Sequence, residues 1–322
     1  MAIKTVKKIV VAGGGVLGSQ IAFQSAYTGH DVTIWLRSSE SIKRTEVKLA
    51  TLKKTYQTVI KKMAKNPSDE WANGISSPQK FQPKLCLEKT NQAFSSIKLE
   101  LDLTTALKSA DILIESVAEL KSAKINFYKL VAPLLESKTI IATSSSTLLP
   151  STFAKYTGRA DKYLAMHFAN SIWKNNIAEI MPHAKTSKST FSNAIKIAES
   201  INMVPVPIHK EKAGYLLNSM LVPFLLSGLD LYVNGIAEPE AIDRAWTIST
   251  GAPKGPFKII DTVGLTTAYN IVEQYQKVPR LVNPLLKKML FPYNFTGMKR
   301  VLQKYIDEGK LGRSVGEGFY KY

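Results

Sequence analysis

Apolar residues in the first part of the chain come in short β-branched runs separated by turn formers. Ile9-Val10-Val11-Ala12 stops at Gly13; residues 19–28 have the spacing of a helix that Gly29-His30 ends; Val32-Thr33-Ile34-Trp35-Leu36 is a second run. Strand, helix and strand in that order predict a parallel sheet with helices packed on its faces. Further strands are expected over 111–115, 139–142, 163–166, 177–181 and 204–208, and residues 40–63 read as a lysine-rich helix. Residues 66–83, punctuated by Pro67, Gly74, Pro78 and Pro83, read as a loop. After about residue 210 the period changes. Residues 213–233, 239–250, 266–276 and 284–308 have helical spacing with Gly or Pro breaks. The expected fold class is therefore α/β, a Rossmann-type doubly wound sheet domain over 1–210 followed by an all-helical domain over 211–322.

Composition narrows the class. A chain of 322 residues, 45% hydrophobic and 21% charged, suits two soluble domains. Its one cysteine, Cys86, excludes an internal disulfide framework and a cysteine-built metal site, and fits a reducing, cytoplasmic setting. The apolar run 9–12 is too short for a signal peptide, and the stretch 216–233 carries Asn218, Ser219, Pro223 and Asp230, so no membrane partner is expected. A formal net charge of +18 suits an anionic partner such as a phosphorylated cofactor, an acyl-CoA or a nucleic acid; a solvated lysine-rich surface accounts for it equally well. The lysines are dispersed and no nucleic-acid recognition motif is present, so no nucleic acid is expected.

The first chemistry-bearing motif is Gly13-Gly14-Gly15-Val16-Leu17-Gly18. Gly13 would make the tight turn, Gly15 would admit a pyrophosphate, and Gly18 would let helix pack on strand, with the N–H groups around Val16 and Leu17 facing the anion. A strand before the motif and a helix after it give it the context of a dinucleotide site. Binders of NAD carry an acid at the end of the second strand. Here Leu36 stands in that place, followed by Arg37 and Ser38, while Asp31 lies at the strand's other end. A missing acid beside an arginine favours NADP over NAD, with Lys43 and Arg44 near by; the other reading is Arg37 stacked on the adenine of NAD.

Several further motifs, in order along nearly the whole chain, carry a family resemblance. They are Glu115-Ser116-Val117-Ala118-Glu119 with Lys124, His167-Phe168-Ala169-Asn170 with Glu179, Gly214-Tyr215-Leu216-Leu217-Asn218, residues 251–257 and the tail 311–320. With the glycine loop, they resemble the L-3-hydroxyacyl-CoA dehydrogenases, which include the 3-hydroxybutyryl-CoA dehydrogenases. The resemblance implies His167 as catalytic base, Glu179 as the acid that orients it, Ser146 as the serine that bonds the substrate oxygen, and Asn170 and Asn218 as the family's two asparagines. It implies Glu119 and Lys124 at the nicotinamide side of the cofactor pocket, an active site between the domains, and a homodimer formed through the helical domain. The chemistry is coherent by itself: oxidising a secondary alcohol needs a base for the hydroxyl proton as hydride leaves, and a carboxylate on the other imidazole nitrogen fixes the tautomer. His30, His183 and His209 are given no role, and His183, after Pro182, is expected at the surface. The hydroxyls of Ser144, Ser145 and Thr147 read as loop polarity.

The chain also departs from the family. Ala169 and Ser171 replace the usual Phe and Pro around Asn170, Trp173 and Lys174 alter the expected pocket wall, Ser144 stands where Asn is common, and Ser219 replaces an Arg. Related dehydrogenases of free hydroxy acids vary in this stretch, so the partner is expected to be an acyl-CoA or, as the alternative, a small free 3-hydroxy acid. Lysines 53, 54, 61, 62 and 65 of the expected helix could reach the phosphates of CoA, or form only a solvated face.

Overall fold

The computed structural model describes residues 7–66, 71–276 and 293–322. The chain divides into two compact units, Met1–Leu216 and Leu217–Tyr322.

In the first unit, eight strands form one sheet: β1 (Lys8–Ala12), β2 (Asp31–Trp35), β3 (Lys98–Glu100), β4 (Ile112–Glu115), β5 (Ile140–Thr143), β6 (Tyr163–Phe168), β7 (Ile177–Met181) and β8 (Val204–Pro207), in the spatial order β3-β2-β1-β4-β5-β6-β7-β8. Every pair is parallel except β6 with β7. The order reverses direction at β1, and this puts a crevice at the carboxyl ends of β1 and β4, where doubly wound sheets bind ligands. β4 and β5 are buried along their whole length, as parallel strands covered on both faces must be.

Helices α1 (Val16–Tyr27), α2 (Ser39–Lys65), α3 (Pro83–Ser96), α4 (Leu103–Leu107), α5 (Lys121–Val131) and α6 (Lys188–Ser200) complete this unit. Two apolar clusters flank the sheet. One joins Ile9, Val11, Ile34, Ile112 and Ile114 to α1, α2 and α6; the other joins Val10, Leu113 and Ile141 to α4 and α5. Along α2 the buried residues are Thr45, Leu49, Leu52, Tyr56, Ile60 and Met63, spaced three or four apart, so its lysines fall on the other face. Lys53 lies over the Phe94 ring of α3, 4.9 Å from its centroid.

The structure corrects parts of the sequence reading. Residues 66–83 are not one loop: Pro78–Lys80 forms a 3-10 turn and α3 begins at Pro83, while residues 67–70 lie outside the described residues. Trp173, half-buried, packs on the core with its ring 5.6 Å from that of Tyr56, and its carbonyl accepts Gly74 N–H at 3.0 Å. His183 is buried, not superficial, because its imidazole bonds the Ala160 carbonyl at 2.9 Å.

The described residues of the second unit form α7 (Leu217–Val233), α8 (Pro239–Thr250), α9 (Pro256–Val263), α10 (Leu265–Gln276) and α11 (Phe295–Asp307) around a core of Leu225, Leu229, Phe257, Ile260, Met298, Leu302 and Phe319. The expected helix over 213–233 begins only at Leu217, because Gly214 (φ 81°) and Tyr215 (φ 53°) are left-handed. The part of the expected helix 284–308 before residue 293 lies outside the described residues. Buried Asp261 clasps the chain end by accepting from Phe319 N, Tyr320 N and the Tyr322 hydroxyl. Among the described residues no helix is long and apolar enough to cross a membrane, and no group of three or more His, Cys, Asp or Glu could hold a metal.

Candidate functional site

The glycine loop joins β1 to α1. A Cβ on Gly13 (φ 114°) would meet the Ser116 carbonyl oxygen at 2.5 Å, and one on Gly18 would meet the Gly13 carbonyl at 2.1 Å. These two glycines are therefore fixed by close backbone approach. A Cβ on Gly15 would meet nothing within 4 Å, so that position opens outward. α1 has no acid in its first turn and Gly15 supplies no side-chain cap, which leaves the first N–H groups, at Val16, Leu17 and Gly18, available to an anion. An open backbone face and uncapped N–H groups fit the pyrophosphate of a dinucleotide.

At the end of β2, Leu36 is buried in the core and its methyl group lies under Gly14. Arg37 is exposed and has no ion-pair partner among the described residues. Ser38 precedes α2, its hydroxyl 3.2 Å from that of Ser41, which also accepts from Arg44 at 2.9 Å. Asp31, at the opposite end of β2, pairs with Lys98 at 2.9 Å.

The histidine and glutamate meet through strand register. β6 and β7 run antiparallel and place His167 directly opposite Glu179, so both side chains project on one face. His167 Nδ1 lies 2.8 Å from Glu179 Oε2, and its Nε2 lies 3.1 Å from Ser146 Oγ. An ionised Glu179 only accepts, so Nδ1 carries the proton and the Nε2 lone pair faces the Ser146 hydroxyl. Glu179 Oε1 accepts Leu216 N–H at 2.8 Å. The Tyr215 ring stacks on the imidazole, centroids 4.4 Å apart, and its hydroxyl donates to the Ser145 carbonyl at 2.7 Å.

A second polar group holds the serine loop after β5. Glu119 accepts from the hydroxyls of Ser145 and Thr147. Burial pushes its carboxyl up, but the Ser145 bond and the Lys124 ammonium more than offset this and hold it below the usual carboxylate range. Lys124, buried, bridges Glu119 (3.2 Å) and Glu115 (2.6 Å). Glu115 is fully enclosed and accepts also from Val117 N, Tyr128 and Thr143, while Ser144 bonds Ser116 at 2.8 Å. The serine and threonine hydroxyls read as loop polarity are thus bonded into the site.

The first unit therefore brings His167, Glu179 and Ser146 into one hydrogen-bonded chain, with Glu119 and Lys124 beside it through the serine loop. Asn170 is exposed just beyond β6, and its carbonyl accepts from the Asn175 side chain at 2.8 Å. Asn218 stands in the first turn of α7, in the second unit. The sequence reading gave no role to Glu115 or Tyr215, although both lie in motifs it quoted. The signal at Glu115 was a carboxylate closing an apolar strand.

Comparison with known proteins agrees along the whole length. Residues 8–212 match the NAD binding domain of 3-hydroxyacyl-CoA dehydrogenase, and residues 214–322 match its C-terminal domain. The chain is 31% identical to the hydroxyacyl-coenzyme A dehydrogenase, mitochondrial, of Homo sapiens, over 98% of this chain and 91% of that protein. It is 28% identical to the 3-hydroxybutyryl-CoA dehydrogenase of Clostridioides difficile, over 98% and 99%. A solved structure titled for substrate-directed dual catalysis of dicarbonyl compounds by diketoreductase superimposes with a TM-score of 0.83 at 40% identity, covering 99% of this chain and all of that one. An NAD-binding domain of this kind takes a nicotinamide dinucleotide, and this chain belongs to the 3-hydroxyacyl-CoA dehydrogenase family, a family of oxidoreductases.

Proposed function

We propose that this chain moves a hydride between a nicotinamide dinucleotide and C3 of a 3-hydroxyacyl-CoA or 3-oxoacyl-CoA, with His167 and Glu179 as the acid/base pair. The observation that carries this reading is the chain of hydrogen bonds Glu179–His167–Ser146, at 2.8 and 3.1 Å. The dinucleotide, when bound, supplies the hydride acceptor in one direction and the donor in the other. Nε2 of His167 takes the proton of the C3 hydroxyl as the carbonyl forms, and returns it in reduction. Glu179 stabilises the imidazolium, Ser146 bonds the substrate oxygen, and Asn170 and Asn218 are assigned to substrate binding. Replacing His167 by Gln should lower kcat by about 10²–10⁴-fold. Unchanged turnover would remove His167 as the base.

NADP is the favoured cofactor. Arg37, Ser38, Ser41 and Arg44 gather cationic and hydroxyl donors at the uncapped start of α2, a setting for a 2′-phosphate, and Leu36 offers no carboxylate to a 2′-hydroxyl. The NAD reading has Arg37 stack on the adenine instead. Reduction of acetoacetyl-CoA should run faster with NADPH than with NADH; equal or better use of NADH refutes the preference. Leu36→Asp with Arg37→Gln should shift it toward NADH.

One observation favours a second reading of the substrate. The diketoreductase is more alike in sequence, at 40%, than the human and clostridial relatives at 31% and 28%. A small dicarbonyl compound or free 3-hydroxy acid would then replace the acyl-CoA. Comparing kcat/KM for acetoacetyl-CoA with that for the free 3-oxo acid and a 3,5-dioxo ester separates the two, since turnover of a free compound equal to that of the thioester removes the CoA requirement. Exposed Met220, Ile236 and Ile248 in the helical unit suit a homodimer, and the single buried thiol of Cys86 suits a reducing compartment such as the cytoplasm.

A further inference from the structure

We infer that Tyr215 is a positioning residue for His167: its ring fixes the plane of the imidazole, and its hydroxyl ties that ring to the serine loop. The inference rests on the reading of His167 as the base.

Two hydrogen bonds hold the imidazole, one at Nδ1 to Glu179 and one at Nε2 to Ser146. Bonds at the two nitrogens leave the ring free to tilt about the line that joins them. A flat surface against its face removes that freedom, and Tyr215 supplies one. The two rings lie 17° from parallel at 4.4 Å, whereas the other ring pairs among the described residues are inclined by 34° to 89°. Offset stacking is one of the favourable arrangements of two rings, and among the described residues His167 and Tyr215 are the one pair that adopts it.

The backbone around Tyr215 is arranged to produce it. Gly214 and Tyr215 are successive left-handed residues, at φ 81° and 53°. Left-handed backbone is unfavourable for a tyrosine and persists where surrounding contacts over-determine it. Three contacts do so here. The ring covers His167, the hydroxyl donates to the Ser145 carbonyl at 2.7 Å, and the next N–H, at Leu216, donates to Glu179 at 2.8 Å. Burial holds the phenol protonated well above its ordinary range, so it stays a donor. One short turn thus touches both members of the acid/base pair and the residue before Ser146. Proton transfer at Nε2 requires the lone pair, which lies in the ring plane, to point at the substrate oxygen, so tilt translates into lost rate while substrate binding is untouched.

The test compares Tyr215→Leu, Tyr215→Phe and His167→Gln in the full-length protein under saturating dinucleotide. Tyr215→Leu should lower kcat by about 10–10²-fold with KM changed less than about threefold. It should also raise the primary deuterium isotope effect on kcat measured with deuterated cofactor. Tyr215→Phe keeps the ring and should recover most of kcat. A parent-like kcat in the leucine variant, or a phenylalanine variant as slow as leucine, overturns the inference. If leucine loses the parent circular dichroism spectrum, Tyr215→Met takes its place, and a parent-like kcat there is equally fatal. A His167→Gln variant with full activity would instead remove the base itself, and the two failures are told apart in one experiment.

Discussion

Glu115 and Lys124 form the most enclosed ion pair of the site, at 0% and 1% side-chain exposure and 2.6 Å apart. A buried pair is a poor source of net stability, yet removing one partner strands the other charge. Lys124→Met should therefore cost about 3–5 kcal/mol in urea unfolding. Adding Glu115→Gln should restore part of that loss, because the orphaned carboxylate is gone. Additive losses in the double variant would show that the two charges do not compensate each other. At this scale the sequence disclosed His167 and Glu179 through the family motifs that carry them, and their separation allows two strands and a short return to bring them face to face. It did not disclose the enclosure of Glu115 or the stack on Tyr215, since burial from three sides and a left-handed tyrosine leave no periodic trace.

The β1–loop–α1 element separates two uses of glycine. Gly18 has no room for a side chain, while Gly15 has nothing within 4 Å. Gly18→Ala should lower the melting temperature by several degrees, about 2–4 °C for each kcal/mol of strain. Gly15→Ala should keep the parent melting temperature and weaken dinucleotide binding by calorimetry. Equal destabilisation by both would contradict an outward-facing Gly15. The longer strands were legible as unbroken β-branched or apolar runs ended by turn formers, and amphipathic helices such as α2 by their three-to-four spacing. β3 was not, because three residues on a sheet edge carry almost no pattern. α3 was hidden by Pro83, which reads as a breaker but sits at a helix's first position, where proline is well tolerated. Only Cys86, Thr90 and Ala93 of α3 are buried, so its apolar stripe is faint.

Acid acts on the whole molecule through groups scattered over the first unit. His183 is held below its ordinary value, first by burial, with the nearby charge of Lys185 acting the same way and the bond to the Ala160 carbonyl opposing both. Its Nδ1 accepts Lys185 N–H at 3.3 Å, so a second proton has no acceptor to meet. The unfolded chain takes up that proton near pH 6.5 and the folded chain does not, so stability falls as pH drops below about 6.5. Glu119 and Asp111 are depressed carboxylates, so their contribution is present above about pH 4 and lost below it. The urea midpoint should fall between about pH 7.5 and 5.5, by a few tenths molar. His183→Gln should flatten that first slope and leave the lower one. An unchanged slope in the variant would assign it to other groups.

The antiparallel pairing of β6 with β7 has a consequence for how such a protein diversifies. His167 and Glu179 are partners by register, and the intervening residues 169–176 leave and return between them. A one-residue slip within either strand would turn one side chain to the opposite face of the sheet. Lengthening or rewriting the return would not, because the ladder is set on both sides of it. Within that return Ile172 and Trp173 stay seated on the core, so variation is least constrained at the exposed positions Asn170, Lys174 and Asn175, and changes there leave the facing pair His167 and Glu179 in register.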